Sequence, residues 1–354
     1  MSDHQITTLS EFLKHSGARY RIFDMARRVA KISNEDFADI EKTNQPYPYP
    51  LQKTAHFGII FWNPDLADKH YVWFLKFPLD EQGLMIQAAR DEFLVMLLDR
   101  VGECMLAANE GAQIEGALKD SPYTFKPRDD KMAAFNAQAS VSLAVKPSQY
   151  YEPALAYFSG QTAAQDWQML GMQGVADVAI RLSGKQTISA VANNMVNVPE
   201  QPFITFSTFL EHAEPTITLV ESLSQKLDTL LQAEPAKISL VTACLRAVSN
   251  SPAIGSVDQM VRQVLNHSEV GQDIEVLATI SGRLWRILEQ VELSQLFVER
   301  LAENNAGYSG FSQVLADAMY MPGLRNPIMT ALRSPERSPA LTQKVGELFG
   351  QPST

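Results

Sequence analysis

The side chains best placed for chemistry gather in two short stretches near the N-terminus. In Phe77-Pro-Leu-Asp-Glu-Gln-Gly83, Asp80 and Glu81 fall between a strand-like run and a helix-like run. A carboxylate pair there could exchange protons with a substrate or bind a hard cation. The same pair could instead form the turn and cap the helix that starts near Leu84, the commoner use of acidic residues at such a place. Arg19, Arg21, Arg27 and Arg28 make the second stretch. Arg19 and Arg21, two apart on a predicted strand, share one face and suit a phosphate or an acidic partner. Pairing with the chain's own carboxylates is the alternative. Arg19, Arg21, Asp80 and Glu81 are thus the candidate ligand or partner site.

Other chemistry is sparse. Histidines at 4, 15, 56, 70, 212 and 267 do not cluster, as a metal site would require. His56 and His70 bracket a predicted hairpin and could meet at one end of it. His212 and His267 each end a predicted helix, where the dipole favours a cationic imidazole, so capping is expected there. No phosphate-binding loop, dinucleotide fingerprint, HExxH, CxxC or GxSxG occurs. No cofactor or metal is expected, and no catalytic residue is assigned. Cys104 and Cys244 lie far apart in apolar helical contexts and read as free thiols of a reducing cytoplasm.

The first part of the chain supplies a small sheet to hold the candidate residues. Leu9–His15 after Thr8 reads as a short helix. Arg19–Met25 reads as a strand, and Ser33–Lys42 as a helix capped by Ser33 or Asn34. Pro46-Tyr-Pro-Tyr-Pro50 is an extended connector, because its prolines fix φ and remove donors. His56–Trp62 and Tyr71–Phe77, aromatic and branched, form an antiparallel hairpin. Leu84–Val101 has helical spacing and covers one face of the sheet. Ser121–Asp130 reads as a linker. After it comes a helix from Lys131 to about Leu143, with a strand at Ala139–Val145 as the competing reading. Ser148–Phe158 is a further helix.

From Asp166 onward the pattern is helical throughout. Asp166–Ser183 begins with a good N-cap and carries Trp167, Leu170, Gly174, Val178 and Leu182 along one stripe. Gly171 and Gly174 cost helix propensity, and a close helix–helix contact would account for them. Further helices are predicted at about 186–197, 201–212, 216–231, 236–249, 256–267, 272–290, 293–303, 309–320, 323–333 and 339–349. Prolines 199, 215, 235, 252 and 322 and glycines 271 and 307 separate them. Taken in pairs they recur about every 35 residues, the mark of stacked helical hairpins, although no consensus letters repeat. A compact, non-repeating helical bundle is the alternative.

Net charge is −10 over 354 residues, with −3 before and −7 after a division at Lys146. That balance disfavours generic nucleic-acid or anionic-membrane binding. No run approaches the roughly 18 apolar residues of a membrane span, and Met1–Phe12 has no signal-peptide pattern.

The stretches SGARYRIFDMARRV, FLKFPLDEQG followed by QAARDEF, and WQMLGMQGVADVA together resemble an uncharacterised gammaproteobacterial family, a domain of unknown function, over most of the chain. The resemblance implies a cytoplasmic bacterial protein and supplies no catalytic residues. The expected architecture is an α+β domain with a small antiparallel sheet over 1–120, a linker over 121–130, and an all-α domain over 131–354. The last is a HEAT-like α-solenoid of stacked hairpins. The expected function is a protein-interaction or scaffold role through the helical array, with no membrane and no nucleic acid. An enzyme or small-molecule binder with a pocket where the two domains meet is the alternative.

Overall fold

The computed structural model describes residues 6–65, 70–101, 118 and 121–350. His4 and Cys104, and most of the stretch between 102 and 120, lie outside the described residues. Contacts divide the chain into two compact units, Met1–Ala139 and Ser140–Thr354.

The first unit contains α1 (Leu9–His15), β1 (Arg19–Asp24), β2 (Ala30–Ile32), α2 (Asn34–Glu41), β3 (Thr54–Trp62), β4 (His70–Pro78) and α3 (Gln87–Val101). It also holds most of α4 (Asp129–Ser142), which runs across the division. The four strands form an antiparallel sheet in the order β2-β1-β3-β4. Both helix starts have the expected caps. The Thr8 hydroxyl accepts from the Glu11 amide, and the Ser33 hydroxyl accepts from the Asp36 amide. The three residues of β2 are too few to show alternation, so the sequence did not reveal that strand.

Helices cover the sheet on both faces rather than the one expected. On one side Phe57 meets Phe37 of α2, ring centroids 5.2 Å apart, and Phe77 meets Phe93 of α3 at 5.5 Å. On the other side Phe135 of α4 lies edge-on to Phe23 at 5.4 Å and to Phe74 at 5.1 Å. The register sets Phe23, Gly58 and Phe74 side by side, and the missing side chain of Gly58 is the space Phe135 fills. A Cβ there would stand 2.8 Å from the ring. Burial on both faces accounts for the unbroken buried run Phe57–Phe61 in β3. At 139–145 the chain is helical to Ser142 and then turns, with no strand there.

The second unit, among its described residues, is built of helices. They are α5 (Tyr151–Phe158), α6 (Met172–Arg181), α7 (Lys185–Asn194), α8 (Glu200–Leu210), α9 (Ile217–Leu231) and α10 (Ile238–Val248). After these come α11 (Ile254–Asn266), α12 (Ile274–Arg283), α13 (Val291–Ala302), α14 (Gly307–Met319), α15 (Arg325–Leu332) and α16 (Pro339–Gly350). Alternate helices pack on one another in two series. In one, α6 lies on α8, α8 on α10, α10 on α12 and α12 on α14; in the other, α7 lies on α9, α9 on α11, α11 on α13 and α13 on α15.

The predicted helix over 166–183 is divided. Ala164–Met169 is a 3-10 turn, the backbone is extended at Leu170 and Gly171, and α6 starts at Met172. The glycines do serve a close contact. A Cβ on Gly174 would fall 2.2 Å from the Tyr150 carbonyl oxygen, and one on Gly171 would fall 3.2 Å from the Tyr150 ring. The predicted helix over 272–290 is divided too, at Leu284, where α12 gives way to the 3-10 turn Trp285–Glu289.

Two glycine substitutions separate packing from propensity. Gly174→Ala drives a methyl into the backbone of Tyr150 and is expected to cost about 3 kcal/mol of stability. Gly255→Ala, in α11 with nothing within 4 Å of the new Cβ, is expected to gain about 0.5–1 kcal/mol from helix propensity. Urea denaturation of the two variants beside the wild type measures both.

Candidate functional site

The four residues singled out in the sequence occupy the two ends of one sheet. Arg19 pairs with Trp62 and Trp62 with His70, whereas Thr54 pairs with Pro78, two residues before Asp80. Eight residues of β3 separate those ends, roughly 26 Å along a strand, so Arg19 and Arg21 do not approach Asp80 and Glu81. The Arg21 guanidinium lies over the Trp62 ring at 5.4 Å and donates to the Tyr20 carbonyl at 3.0 Å. Asp80 shapes the turn into α3: its Oδ1 accepts from the amides of Gln82 and Leu84 at 2.8 and 2.9 Å. Glu81 is exposed beside it. His56 and His70 lie at opposite ends of the hairpin, because His56 pairs with Lys76 while His70 adjoins the turn.

Arg27 and Arg28 leave the arginine group altogether and turn inward. The cause is Asp24, the last residue of β1 and fully buried. One of its oxygens accepts from the Ala26 amide at 2.9 Å, the other from the Arg28 amide at 3.1 Å, and the Tyr47 hydroxyl donates to it as well. These bonds fold residues 24–28 into a tight turn. Arg27 Nε then reaches the Pro50 carbonyl at 2.7 Å, and Lys131 Nζ reaches the Arg27 carbonyl at 3.0 Å. Burial raises the Asp24 carboxyl to about 6, although Tyr47, the amides and Lys131 pull the other way. Burial and the neighbouring Asp24 push the Tyr47 phenol well above its ordinary value. His56 follows on β3; burial lowers its imidazole below the usual range, and its Nδ1 has no hydrogen-bond partner. Asp24 and Tyr47 sit inside the protein core and hold the turn, whereas the His56 side chain is half-buried.

The second unit has its own buried charge. Glu211, at the C-cap of α8, binds Arg246 Nε at 2.8 Å and Arg283 Nε at 3.0 Å, with His212 Nε2 3.6 Å from its other oxygen. Burial alone would raise this carboxyl, but Arg283, His212 and Arg246 outweigh it and hold the group far below the ordinary carboxylate range. The three charged residues come from α8, α10 and α12, successive members of one series. Arg246 and Arg283 keep about a quarter of their side chains exposed, 26% and 27%. Sequence reading missed the cluster although its signal was present: 211, 246 and 283 recur at the spacing of the helix pairs.

A second set of bonds repeats with the same period. The Asn194 amide donates to the carbonyls of Tyr157 and Phe158, Lys226 to Met195, His267 to Leu231 and Arg300 to Leu265. In each case a polar side chain near one helix end reaches the last carbonyls of the helix a pair earlier, 31 to 37 residues back. The His267 ring caps the last carbonyl of α9. Its Nδ1 accepts from the amides of Glu269 and Val270, so Nε2 carries the proton to Leu231. Asn250 and Ser251 make the matching bonds to Ala213 and Pro215 between two turns.

Among the described residues no three His, Cys, Asp or Glu side chains stand where they could hold a metal ion. Cys244 is buried in α10, and burial pushes its thiol up to about 12, far from a nucleophilic thiolate at neutral pH. No described helix is long and apolar enough to cross a membrane. A family model described as "Protein of unknown function (DUF3549)" matches residues 4–349. No curated protein matches the chain, and no solved structure does.

Two substitutions test the buried charges. The Asp24 carboxyl titrates near 6 when folded against 3.8 unfolded, so its contribution is complete below about pH 4 and is lost as pH rises through 6. The stability of the wild type relative to Asp24→Asn is expected to fall by about 2 kcal/mol between pH 4 and pH 7, read from denaturant midpoints across that range. Glu211 has the opposite sign: its contribution is present above the unfolded carboxyl value and lost in acid. Glu211→Ala leaves two guanidinia facing a void and is expected to cost about 3–5 kcal/mol at pH 7; the same titration would show it.

Proposed function

We propose a function for a chain that belongs to the DUF3549 family: it is a protein-interaction or scaffold component whose second unit is a HEAT-like α-solenoid that presents one continuous surface to a partner. The observation that carries this reading is the set of period-spaced bonds, in which equivalent positions of successive helix pairs join across 35 to 37 residues. Stacked pairs held this way form an extended face, and proteins built so work by binding along it. The buried, paired or core-facing placement of the ionisable groups described above fits binding better than catalysis. A cytoplasmic location fits a free, buried thiol at Cys244. The acidic net charge of −10 fits a protein partner better than nucleic acid.

The test is affinity purification of the full chain from native cells followed by cross-linking mass spectrometry. The expected outcome is a stoichiometric protein partner whose cross-links fall within residues 140–350. Cross-links confined to residues 6–101, or isolation of the chain with a bound metabolite and no protein, would overturn the reading.

A further inference from the structure

We infer that the open end of the first unit's sheet binds an acidic peptide segment of a partner protein, with Arg19, Arg21 and His70 around Trp62 as the contact. This surface is distinct from the helical one proposed above, and the inference stands without it.

The alternation of side chains along paired strands sorts every charge of the sheet by face. One face carries Arg19 and Arg21 on β1, Lys31 on β2, His56 on β3, and His70 and Lys76 on β4. The one acidic residue of the four strands, Asp24, lies on the other face and is buried. A strand face with basic residues and no carboxylate departs from a chain in which acidic residues outnumber basic ones 40 to 30. Phe125 and Phe135 cover the middle of this face, over Phe74. At one end Arg19, Trp62 and His70 stand side by side across three strands. Arg19 and His70 are exposed there, and Arg21, Trp62 and Val72 are half-buried.

Pairing with the chain's own carboxylates was the ordinary expectation for these arginines. Among the described residues it does not happen. The Arg21 guanidinium instead lies over the Trp62 ring at 5.4 Å and gives an N–H to the Tyr20 carbonyl. The cation–π contact holds it in place before a ligand arrives, and an arginine has further N–H donors to offer. The site thus presents positive donors around an apolar ring. Carboxylates with an apolar side chain among them are its complement.

The surroundings keep the same sign. Lys14 and His15 are exposed in the last turn of α1, which leads into Arg19. In the hairpin turn Asp65 is exposed, while Asp68 and Lys69, outside the described residues, carry opposite charges. Across the same face, α4 has no charged residue after Lys131, and Asp129 and Asp130 near its start are outnumbered by Lys126, Arg128 and Lys131. On the opposite face α3 ends in one acid and one base, Asp99 and Arg100. The patch is small, three strands or about 10 Å wide. A short motif with a carboxylate for each arginine fits within it. A polynucleotide carries a charge at every residue and would run on beyond it, against the net charge of −10.

The test uses the full chain and a fluorescein-labelled synthetic peptide with a central leucine between runs of glutamate. Binding is read by fluorescence anisotropy at low salt, where exposed charges are least screened. Saturable binding is expected, weakened about tenfold or more in Arg19→Gln with Arg21→Gln. Lys185→Gln with Arg325→Gln makes the same change of net charge at exposed positions of the second unit and is expected to leave binding unchanged. Glycine in place of the peptide leucine should weaken it severalfold, through the lost contact with Trp62. Unchanged circular dichroism and melting temperature keep the variants interpretable. Absence of saturable binding, undiminished affinity without Arg19 and Arg21, equal losses in the two double variants, or equal binding of the glycine peptide overturns the inference. Tighter binding of a single-stranded oligonucleotide, lost in the same arginine variant, overturns it in favour of nucleic acid. Self-association of the wild type that this variant abolishes overturns it in favour of a second copy. Because the peptide needs no contact with the second unit, failure here leaves the reading of that unit standing.

Discussion

A helix ends in carbonyls that no amide of its own can reach. Much of the second unit follows from how that need is met. The donor comes from the next helix pair: Asn194 for α5, Lys226 for α7, His267 for α9 and Arg300 for α11. Each such bond completes one helix and fixes the register of its neighbour. Apolar packing between helices is tolerant of small slides, whereas a hydrogen bond tolerates only tenths of an ångström. The aliphatic contacts supply most of the stabilisation, and these polar joints set where each helix stops relative to the last. Glu211 does the same for the other series by binding arginines one and two pairs further on.

The same point explains why the period was legible and the repeat was not. Helix breaks showed because proline and glycine act locally, whatever surrounds them. The joints did not show, because an orphan carbonyl asks only for a donor. An amide, an ammonium, an imidazole and a guanidinium all serve, so the letters differ while the geometry recurs. Gly171 and Gly174 signalled a close contact by their type alone, but neither its partner, Tyr150, nor the late start of the helix at Met172 was local information.

In the first unit the local signals again carried furthest. Thr8 and Ser33 cap their helices because a cap needs one side-chain oxygen at a fixed offset. Of the candidate site, the turn-forming role of Asp80 was readable on similar ground, although it bonds the amides of Gln82 and Leu84 and does not cap the helix, which starts only at Gln87; the strand residues Arg19 and Arg21 were placed on the correct element. What local reading could not supply was long-range. The turn at Asp24 depends on Tyr47, 23 residues on, and it carries Arg27 and Arg28 into the interior where charge is costly unless hydrogen-bonded. Likewise Gly58 is accommodating only because Phe135 arrives from far along the chain.

The ties between helix pairs reach one step along the series and seldom further. Severing the array anywhere in its middle would leave two raw faces, each with bare carbonyls and uncovered aliphatic flanks, and each shaped to accept the other. Within the second unit a cut between helix pairs therefore has no clean seam to follow, and the pieces it made would be adhesive.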